Sequence, residues 1–153
     1  MTKNMIRKYT AEGPLAPRVR TLGATVEAGT PLLDPVDSRP AVALTNSGDA
    51  TKTITSADIP MGGGVTSLTY DNGGVGLTGK ETTLAFDGTW EFSGVVSSGT
   101  TPAPTSTADR TQVYITSGGA LTLASSGNTA YGRVDYPIDY TKRAGYLPVQ
   151  IGL

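Results

Sequence analysis

Two aspartates, Asp135 and Asp139 in the stretch VDYPIDY, are the best candidates for catalytic chemistry in this sequence. Paired carboxylates hydrolyse glycosidic bonds when their carboxyl groups lie about 5 to 9.5 Å apart. Four residues of extended strand span about 13 Å, which is too far unless Pro137 bends the chain. Three apolar residues alternate with the two acids: Tyr136, Ile138 and Tyr140. The simpler interpretation is that both acids face solvent, opposite that apolar face. A hydrolase that uses only carboxylates stays an open alternative, but we expect the protein not to be an enzyme.

Other reactive groups are missing or lack partners. The chain has no His and no Cys, so it lacks the usual base at neutral pH, the commonest metal ligand and any thiolate. The glycines of MGGGVTS lack the spacing and the Lys of a phosphate-binding loop, and the serines of FSGVVSSG have no His to activate them. Three aspartates lie in turn sequences without the spacing of a calcium loop: Asp34, Asp37 and Asp49. We therefore expect no metal, no cofactor and no catalytic residue.

Residues 80–96, KETTLAFDGTWEFSGVV, hold the single Trp and both Phe residues of the chain. Apolar and polar residues alternate on both sides of Asp87-Gly88, which predicts two half-buried strands joined by a tight turn. Three polar residues are expected on the outward side: Thr83, Glu91 and Ser93. Four apolar residues are expected in the core or at a subunit interface: Leu84, Phe86, Trp90 and Phe92.

Short strands and turns follow one another through the rest of the chain. PAVALT has the pattern of a buried strand, TKTIT alternates, and Asn72-Gly73 favours the turn of a tight hairpin. TQVYITSGGALTLASS predicts a second hairpin around a Ser-Gly-Gly turn. Its facing residues are Val113 and Ile115 on one strand with Leu121 and Leu123 on the other.

The composition agrees with a β-structure. Twenty Gly and ten Pro among 153 residues favour frequent turns, and no window shows helical periodicity. We predict an all-β fold, a compact small barrel or sandwich of short antiparallel strands with an extended N-terminal arm. The polar loop at residues 97–110 is longer than most connections in compact domains, so we expect it to be functional or flexible.

The first 20 residues differ from the rest of the chain in charge. They carry five of the twelve Lys and Arg residues but only one of the thirteen acids, which leaves an acidic body at residues 21–153. Pro14 and Pro17 interrupt this segment, and it cannot bury enough apolar surface to fold alone. We expect residues 1–20 to be a flexible basic arm that becomes ordered on a partner, or else an ordinary frayed terminus.

The net charge of the whole chain is −1, which gives it no electrostatic reason to bind nucleic acid or a membrane. No run approaches the roughly 20 apolar residues of a membrane helix. The start, MTKNMIRKYT, lacks the apolar stretch of a signal peptide. We expect a protein made in the cytoplasm, with neither nucleic acid nor a membrane as its partner.

Two sets of short motifs resemble proteins of tailed bacteriophages. TPLLD at residues 30–34 and AVA at residues 41–43 resemble two strands of the small head-decoration proteins of the lambda type. The second half resembles a related phage family through GVGLT, GTWEF, VYI, GALT and VQI. The likeness covers roughly residues 22–153. It departs from the family pattern at residues 45–72, which resemble an insertion, and in the loop at residues 97–110.

This resemblance implies a capsid decoration protein, a structural cement that binds the outside of an assembled phage head and stabilises it. It implies a compact β-rich body, usually a homotrimer, that is seated on the lattice of the major capsid protein at the outer surface of the virion. It also implies an N-terminal arm that orders on binding. The arm residues that we expect to make this contact are Ile6, Arg7, Lys8, Tyr9 and Leu15.

A carbohydrate-binding or receptor-binding β-module, such as a surface spike of a virion, is the other open interpretation. Aromatic rings provide flat faces on which sugars stack, and Tyr adds a polar end. Seven tyrosines are available for such a platform: Tyr9, Tyr70, Tyr114, Tyr131, Tyr136, Tyr140 and Tyr146.

Overall fold

A computed structural model of the chain describes residues 5–8, 17–47, 51–55, 67–71 and 80–152, with the side chains of residues 17–47 and 80–152. All regular secondary structure in these residues is β-strand, which confirms the predicted all-β fold. The strands are, in chain order, β1 (Met5–Lys8), β2 (Arg18–Thr21), β3 (Pro31–Leu33), β4 (Pro40–Ala43), β5 (Thr51–Thr55), β6 (Ser67–Asp71), β7 (Glu81–Ala85), β8 (Gly88–Phe92), β9 (Val96–Ser98), β10 (Thr101–Pro102), β11 (Gln112–Ile115), β12 (Leu121–Thr122), β13 (Thr129–Val134) and β14 (Leu147–Ile151).

These strands form two main sheets and a separate hairpin. The larger sheet has eight strands in the order β1-β8-β14-β13-β11-β12-β9-β10, and the smaller has four in the order β2-β7-β4-β3. Among the described strands, β5 and β6 pair only with each other. Neighbouring strands are antiparallel except for β12 and β9, which are parallel. The short antiparallel strands match the predicted architecture.

The eight-stranded sheet is curled, and three backbone hydrogen bonds hold its far end against its middle. Val95 follows β8, Ala103 follows β10, and Gly145 lies two residues before β14. The N–H of Val95 donates to the carbonyl of Gly145 at 3.0 Å, and the N–H of Gly145 donates to Ala103 at 2.8 Å. The N–H of Ala103 closes the ring by donating to Val95 at 2.9 Å. The β9-β10 edge is therefore tied to the start of β14.

The two strands predicted on either side of Asp87-Gly88 are present as β7 and β8, but they do not pair with each other as a hairpin. β7 pairs with β2 and β4 in the smaller sheet, whereas β8 pairs with β1 and β14 in the larger one. Asp87-Gly88 is thus a corner at which the chain passes from one sheet to the other. Gly88 has a φ angle of 100°, and the indole N–H of Trp90 donates to the carbonyl of Asp87 at 2.8 Å. Alternation of apolar residues continues across such a corner, so the pattern alone does not distinguish it from a hairpin.

The core consists of two clusters, and the four predicted apolar residues are divided between them. Leu84 and Phe86 pack in the smaller cluster. Trp90 and Phe92 pack in the larger one, where the ring of Phe92 meets that of Tyr131 edge to face at 6.0 Å. All four side chains are buried in this chain. Burial of such large side chains is the main stabilising contribution to a fold of this kind.

β8 is buried on both faces, so the prediction of a half-buried strand is wrong for it. Glu91, which was expected to face outward, is only 2% exposed. A buried carboxylate needs a partner, because its desolvation is costly. The Nη2 of Arg143 donates to the Oε1 of Glu91 at 3.0 Å and provides that partner. A charged residue at an alternating position therefore does not establish a solvent-facing side.

Several local predictions are confirmed. The predicted strand TKTIT is β5, and β11 and β12 form the predicted hairpin with Ile115 opposite Leu121. The turn between them is closed by the N–H of Thr116, which donates to the carbonyl of Ala120 at 2.9 Å. The predicted hairpin turn at Asn72-Gly73 lies outside the described residues.

Candidate functional site

Part of the predicted arm lies in the eight-stranded sheet. β1 pairs antiparallel with β8, with Arg7 opposite Glu91 and Lys8 opposite Trp90, and the register shifts between Met5 and Arg7. β1 is the terminal strand of that sheet, so within the described part of the chain its other edge has no neighbouring strand. Ile6, Arg7 and Lys8 of the predicted contact belong to β1, whereas two other residues lie outside the described ranges: Tyr9 and Leu15.

The end of the predicted arm is part of the folded body. Arg18–Thr21 form β2, which pairs with β7 over its whole length. The Nε of Arg20 donates to both carboxylate oxygens of Asp34, at 2.9 and 3.1 Å. Asp34 also accepts the N–H of Val36 at 3.1 Å, the turn contact expected of an Asp at this position. The boundary between arm and body therefore lies before Arg18.

The two candidate catalytic aspartates lie in different environments. Asp135 accepts a hydrogen bond from the hydroxyl of Thr89 at 2.7 Å and is half-buried. Asp139 is exposed and has a φ angle of 64°, in a turn closed by the N–H of Tyr140 and the carbonyl of Pro137 at 3.1 Å. The predicted continuous strand is therefore wrong, since β13 ends at Val134. Among the described residues, no group of three or more His, Cys, Asp or Glu side chains is placed so that it could hold a metal ion.

The predicted apolar face of this stretch is only partly formed. The rings of Tyr136 and Tyr140 pack together with their centroids 5.5 Å apart, but Ile138 is 94% exposed. The Nζ of Lys142 lies 4.0 Å from the centroid of the Tyr136 ring. Partial burial, together with the charge of Asp109, raises the pKa of the Tyr136 hydroxyl.

The tyrosines do not form one platform in the described part of the chain. Tyr131 is 2% exposed, and its hydroxyl donates to the carbonyl of Ala41 at 2.7 Å, which links β13 to β4 of the other sheet. Burial raises the pKa of Tyr131 well above its usual value. Tyr146 packs against the guanidinium of Arg143, whose Cζ lies 3.9 Å from the ring centroid. Stacking by all seven tyrosines on one surface is thus excluded by the burial of Tyr131.

The predicted long loop at residues 97–110 includes the end of β9 and all of β10, and it is attached to the body at several points. Thr107 is buried, and its hydroxyl donates to the carbonyl of Pro104 at 2.6 Å. The carbonyl of Thr107 accepts the hydroxyl of Tyr136 at 3.0 Å and the ammonium of Lys142 at 3.3 Å. The loop ends at Arg110, whose N–H donates to the carbonyl of Val134 at 2.9 Å. Arg110 has a φ angle of 63°, which is uncommon for a residue other than Gly.

An open cleft of about 860 Å³, which we call the arginine cleft, is lined by residues of both sheets. Its polar lining consists of Arg39, Arg110, Gln112, Arg133 and Gln150. Among the described residues, no Asp or Glu lines it. Phe86 and Tyr131 contribute to its floor, and both side chains are buried. Three of the residues that line this cleft are therefore arginines, with no described acid among the lining residues.

The three arginines of this cleft differ in how their charge is balanced. Arg39 binds Asp37, with its Nη2 2.5 Å and its Nε 2.6 Å from the same carboxylate oxygen, and this hydrogen bond lowers the pKa of Asp37. The Nε of Arg110 is 3.8 Å from the carboxylate of Asp109, a long and exposed ion pair. Arg133 makes no ion pair with any described residue. Positive charge is therefore least compensated at Arg110 and Arg133.

Strand register brings these side chains together. Arg133 on β13 lies opposite Gln112 on β11 and opposite Gln150 on β14, so the three form a row across the sheet. The Nη1 of Arg110 donates to the Oε1 of Gln150 at 3.0 Å and joins the end of that row. Sequence reasoning missed this site because each arginine stands alone in its segment, with no local cluster of charge.

Comparisons with models of known protein families, with curated proteins and with solved structures gave no match. The likeness to phage decoration proteins thus rests on the short sequence motifs. Within the described ranges, no helix is long and apolar enough to cross a membrane.

Proposed function

We propose that this chain is a capsid decoration protein, a structural cement that binds the outside of an assembled phage head and stabilises it. The observation that carries the proposal is β1, a strand formed by Met5–Lys8 of the basic arm at the end of the eight-stranded sheet. The capsid lattice is the proposed partner, the outer surface of the virion the proposed location, and no reaction is proposed for the protein.

A terminal strand is suited to this role because, within the described residues, no strand pairs with the backbone N–H and carbonyl groups of its outer edge. A strand of a capsid protein that adds to this edge gains backbone hydrogen bonds, and its alternate side chains give specificity. The arm's excess of four positive charges over residues 1–20 would steer it towards an acidic groove. Such steering weakens with salt, because exposed charges are screened beyond about 8 to 10 Å at physiological ionic strength.

Self-association is the second part of the proposal. Closed symmetry is the usual arrangement of soluble homo-oligomers, and the resemblance to decoration proteins favours a trimer. Three large apolar side chains are exposed on the described surface and are available for such contacts: Val19, Val36 and Ile138. A trimer carries three arms. When the first arm binds the lattice, it raises the effective concentration of the other two arms at their binding sites, so the trimer binds more tightly than one arm alone.

Deletion of residues 2–17 tests the arm. The deletion must end before Arg18, because β2 and the contact between Arg20 and Asp34 belong to the body. We expect the truncated protein to unfold cooperatively, and its occupancy on assembled heads, measured by electron microscopy or co-sedimentation, to fall strongly. Full-length affinity in the truncated protein would exclude the arm as the attachment segment.

A full-length variant removes the concern that truncation uncovers the edge of β8. Arg7→Gln with Lys8→Gln removes two charges from β1 without shortening it. Arg18→Gln with Arg133→Gln is the matched control, because it removes the same charge from exposed sites of the body that make no ion pair with any described residue. We expect only the arm variant to bind heads more weakly at low salt. Equal loss in both variants would mean that net charge, rather than the arm, governs binding.

A carbohydrate-binding or receptor-binding β-module is the second candidate function. The arginine cleft is the specific observation that favours it, since pockets of roughly 300 to 1,000 Å³ with a few polar groups hold small ligands. The same surface does not conflict with decoration, because an attached protein can present a binding site to solvent.

A further inference from the structure

We propose that the arginine cleft binds an acidic polysaccharide through the carboxylates of its uronic acid units. This inference goes beyond capsid decoration and does not depend on it. Its basis is the set of polar side chains of the cleft, the absence of acids from its described lining and the pairing of the strands that carry it.

The charge of the cleft selects an anion. Arg133 is exposed and makes neither an ion pair nor a side-chain hydrogen bond with any described residue. The guanidinium of Arg110 is held by Gln150 at 3.0 Å, and its ion pair with Asp109 is 3.8 Å long. Guanidinium groups bind carboxylates through two parallel hydrogen bonds, which gives direction as well as charge.

The amides of the cleft add groups that suit sugar hydroxyls. The Nε2 of Gln112 donates to the carbonyls of Val113 at 3.0 Å and Gly132 at 2.8 Å, which fixes the side chain and leaves its Oε1 as an acceptor. The Oε1 of Gln150 accepts from Arg110, which leaves the Nε2 as a donor. In the strand register, Gln112 with its free acceptor lies on one side of Arg133, and Gln150 with its free donor lies on the other. Together the three side chains can bind a ligand that carries both hydroxyl and carboxylate groups.

The backbone of the cleft argues against an acidic peptide as the main ligand. β11, β13 and β14 each have a neighbouring strand on both sides. Arg133 itself is paired with Gln112 on one side and with Gln150 on the other, so a peptide cannot add a strand at this row and would lose there the backbone hydrogen bonds that stabilise such complexes.

The aromatic residues of the cleft argue against single-stranded nucleic acid. Bases bind by stacking on exposed rings beside a basic groove. Phe86 and Tyr131, the aromatic residues of the lining, are each only 2% exposed and offer no such face. The volume of about 860 Å³ instead suits a ligand of a few sugar units.

Calorimetry with the full-length protein and tri-galacturonic acid tests this proposal. We expect binding in about 0.01 M salt that weakens at least about tenfold in about 1 M salt, because the charges of the cleft are then screened. Maltotriose, which has no carboxylate, should not bind. Arg133→Gln and Arg110→Gln should each weaken binding about tenfold or more, the size expected when a charge-assisted hydrogen bond is lost.

Arg18→Gln is the matched control, because Arg18 is exposed on β2 and does not line the cleft. It should bind tri-galacturonic acid like the unmodified protein. Thermal unfolding of all three variants should match that of the unmodified protein, since each arginine is at the surface. Arg133→Lys should recover only part of the affinity, because Lys keeps the charge but not the planar fork.

The following results would overturn the proposal. They are absence of binding at low salt, equal binding of maltotriose, and an equal loss of affinity in Arg18→Gln. Tighter binding of an oligothymidylate or an oligoglutamate of the same charge would assign the cleft to nucleic acid or to an acidic protein segment instead. None of these results bears on the attachment of the arm to phage heads, which the truncation experiment measures separately.

Discussion

Arg20 holds the buried carboxylate of Asp34 through a single nitrogen that donates to both oxygens, at 2.9 and 3.1 Å. The side chain of Asp34 is 0% exposed and that of Arg20 is 18% exposed. The pair joins β2, which continues directly from the basic arm, to the turn after β3. It thus fixes the point at which the arm leaves the body.

Removal of the arginine should be costly, because it leaves a buried charge without compensation. We expect Arg20→Leu to lower the free energy of unfolding by about 3 kcal/mol, measured by urea denaturation. Arg18→Leu, on the same strand but exposed, should change it by about 0.5 kcal/mol at most. Adding Asp34→Asn to Arg20→Leu should recover part of the loss, since the buried charge is then gone. Equal stability of the two single variants would show that the ion pair does not hold β2.

Gly152 directly follows β14 and packs closely against the corner between the sheets. A Cβ at this position would lie 2.6 Å from the Cβ of Asp87 and 2.7 Å from the carbonyl oxygen of Phe86. Its φ angle is 82°, which residues with a side chain rarely adopt. We expect Gly152→Ala to cost about 2 to 4 kcal/mol of stability, from the sum of backbone strain and steric overlap.

Gly127→Ala separates these two contributions. Gly127 has a φ angle of 72°, but nothing lies within 4 Å of a Cβ placed on it. This variant should therefore show the backbone strain alone, about 1 kcal/mol. Thermal unfolding of both variants gives the comparison. If Gly127→Ala lost as much stability as Gly152→Ala, close packing at the corner would have no measurable effect.

The parts of the fold that local patterns determine were predictable from the sequence. The hairpin of β11 and β12 joins neighbouring segments through a turn rich in Gly, and its pair Ile115 and Leu121 was predicted as found. The corner at Asp87-Gly88 was not predictable, because the choice between a hairpin and a change of sheet depends on distant strands. Val149 on β14 pairs with Trp90, and Thr83 on β7 pairs with Val19, which no local pattern reveals.

The candidate site depended even more on such long-range pairing. Arg110 and Arg133 are separated by 23 positions in the sequence, and they come together because the N–H of Arg110 bonds the strand that carries Arg133. Gln150 joins them from the last strand. Single charged residues in separate strands resemble ordinary surface charges until the register is known. The excess of positive charge in residues 1–20, in contrast, was visible in the sequence because five basic residues fall within 20 positions.

The pair of Arg143 and Glu91 fixes the segment that precedes β14 over the buried strand β8. Arg143→Met should lower the free energy of unfolding by about 2 to 3 kcal/mol, because Glu91 keeps its charge in a buried site. Arg143→Met with Glu91→Gln should be more stable than Arg143→Met alone. The double-mutant cycle in urea measures this coupling, and a coupling near zero would contradict it.

Tyr131 should make the protein sensitive to alkaline pH. Burial raises the pKa of its hydroxyl well above the ordinary value of 10.0, so the folded chain keeps a proton that the unfolded chain has already released. Stability from this group is fully present below about pH 10 and is lost as the pH rises further.

Tyr131→Phe should cost about 1 kcal/mol at neutral pH, through loss of the hydrogen bond to Ala41. The stability difference between the unmodified protein and this variant should then shrink from about pH 10 upward. Urea denaturation between neutral pH and pH 11 measures the stability of both proteins, and a difference that stays constant with pH would contradict the role of Tyr131.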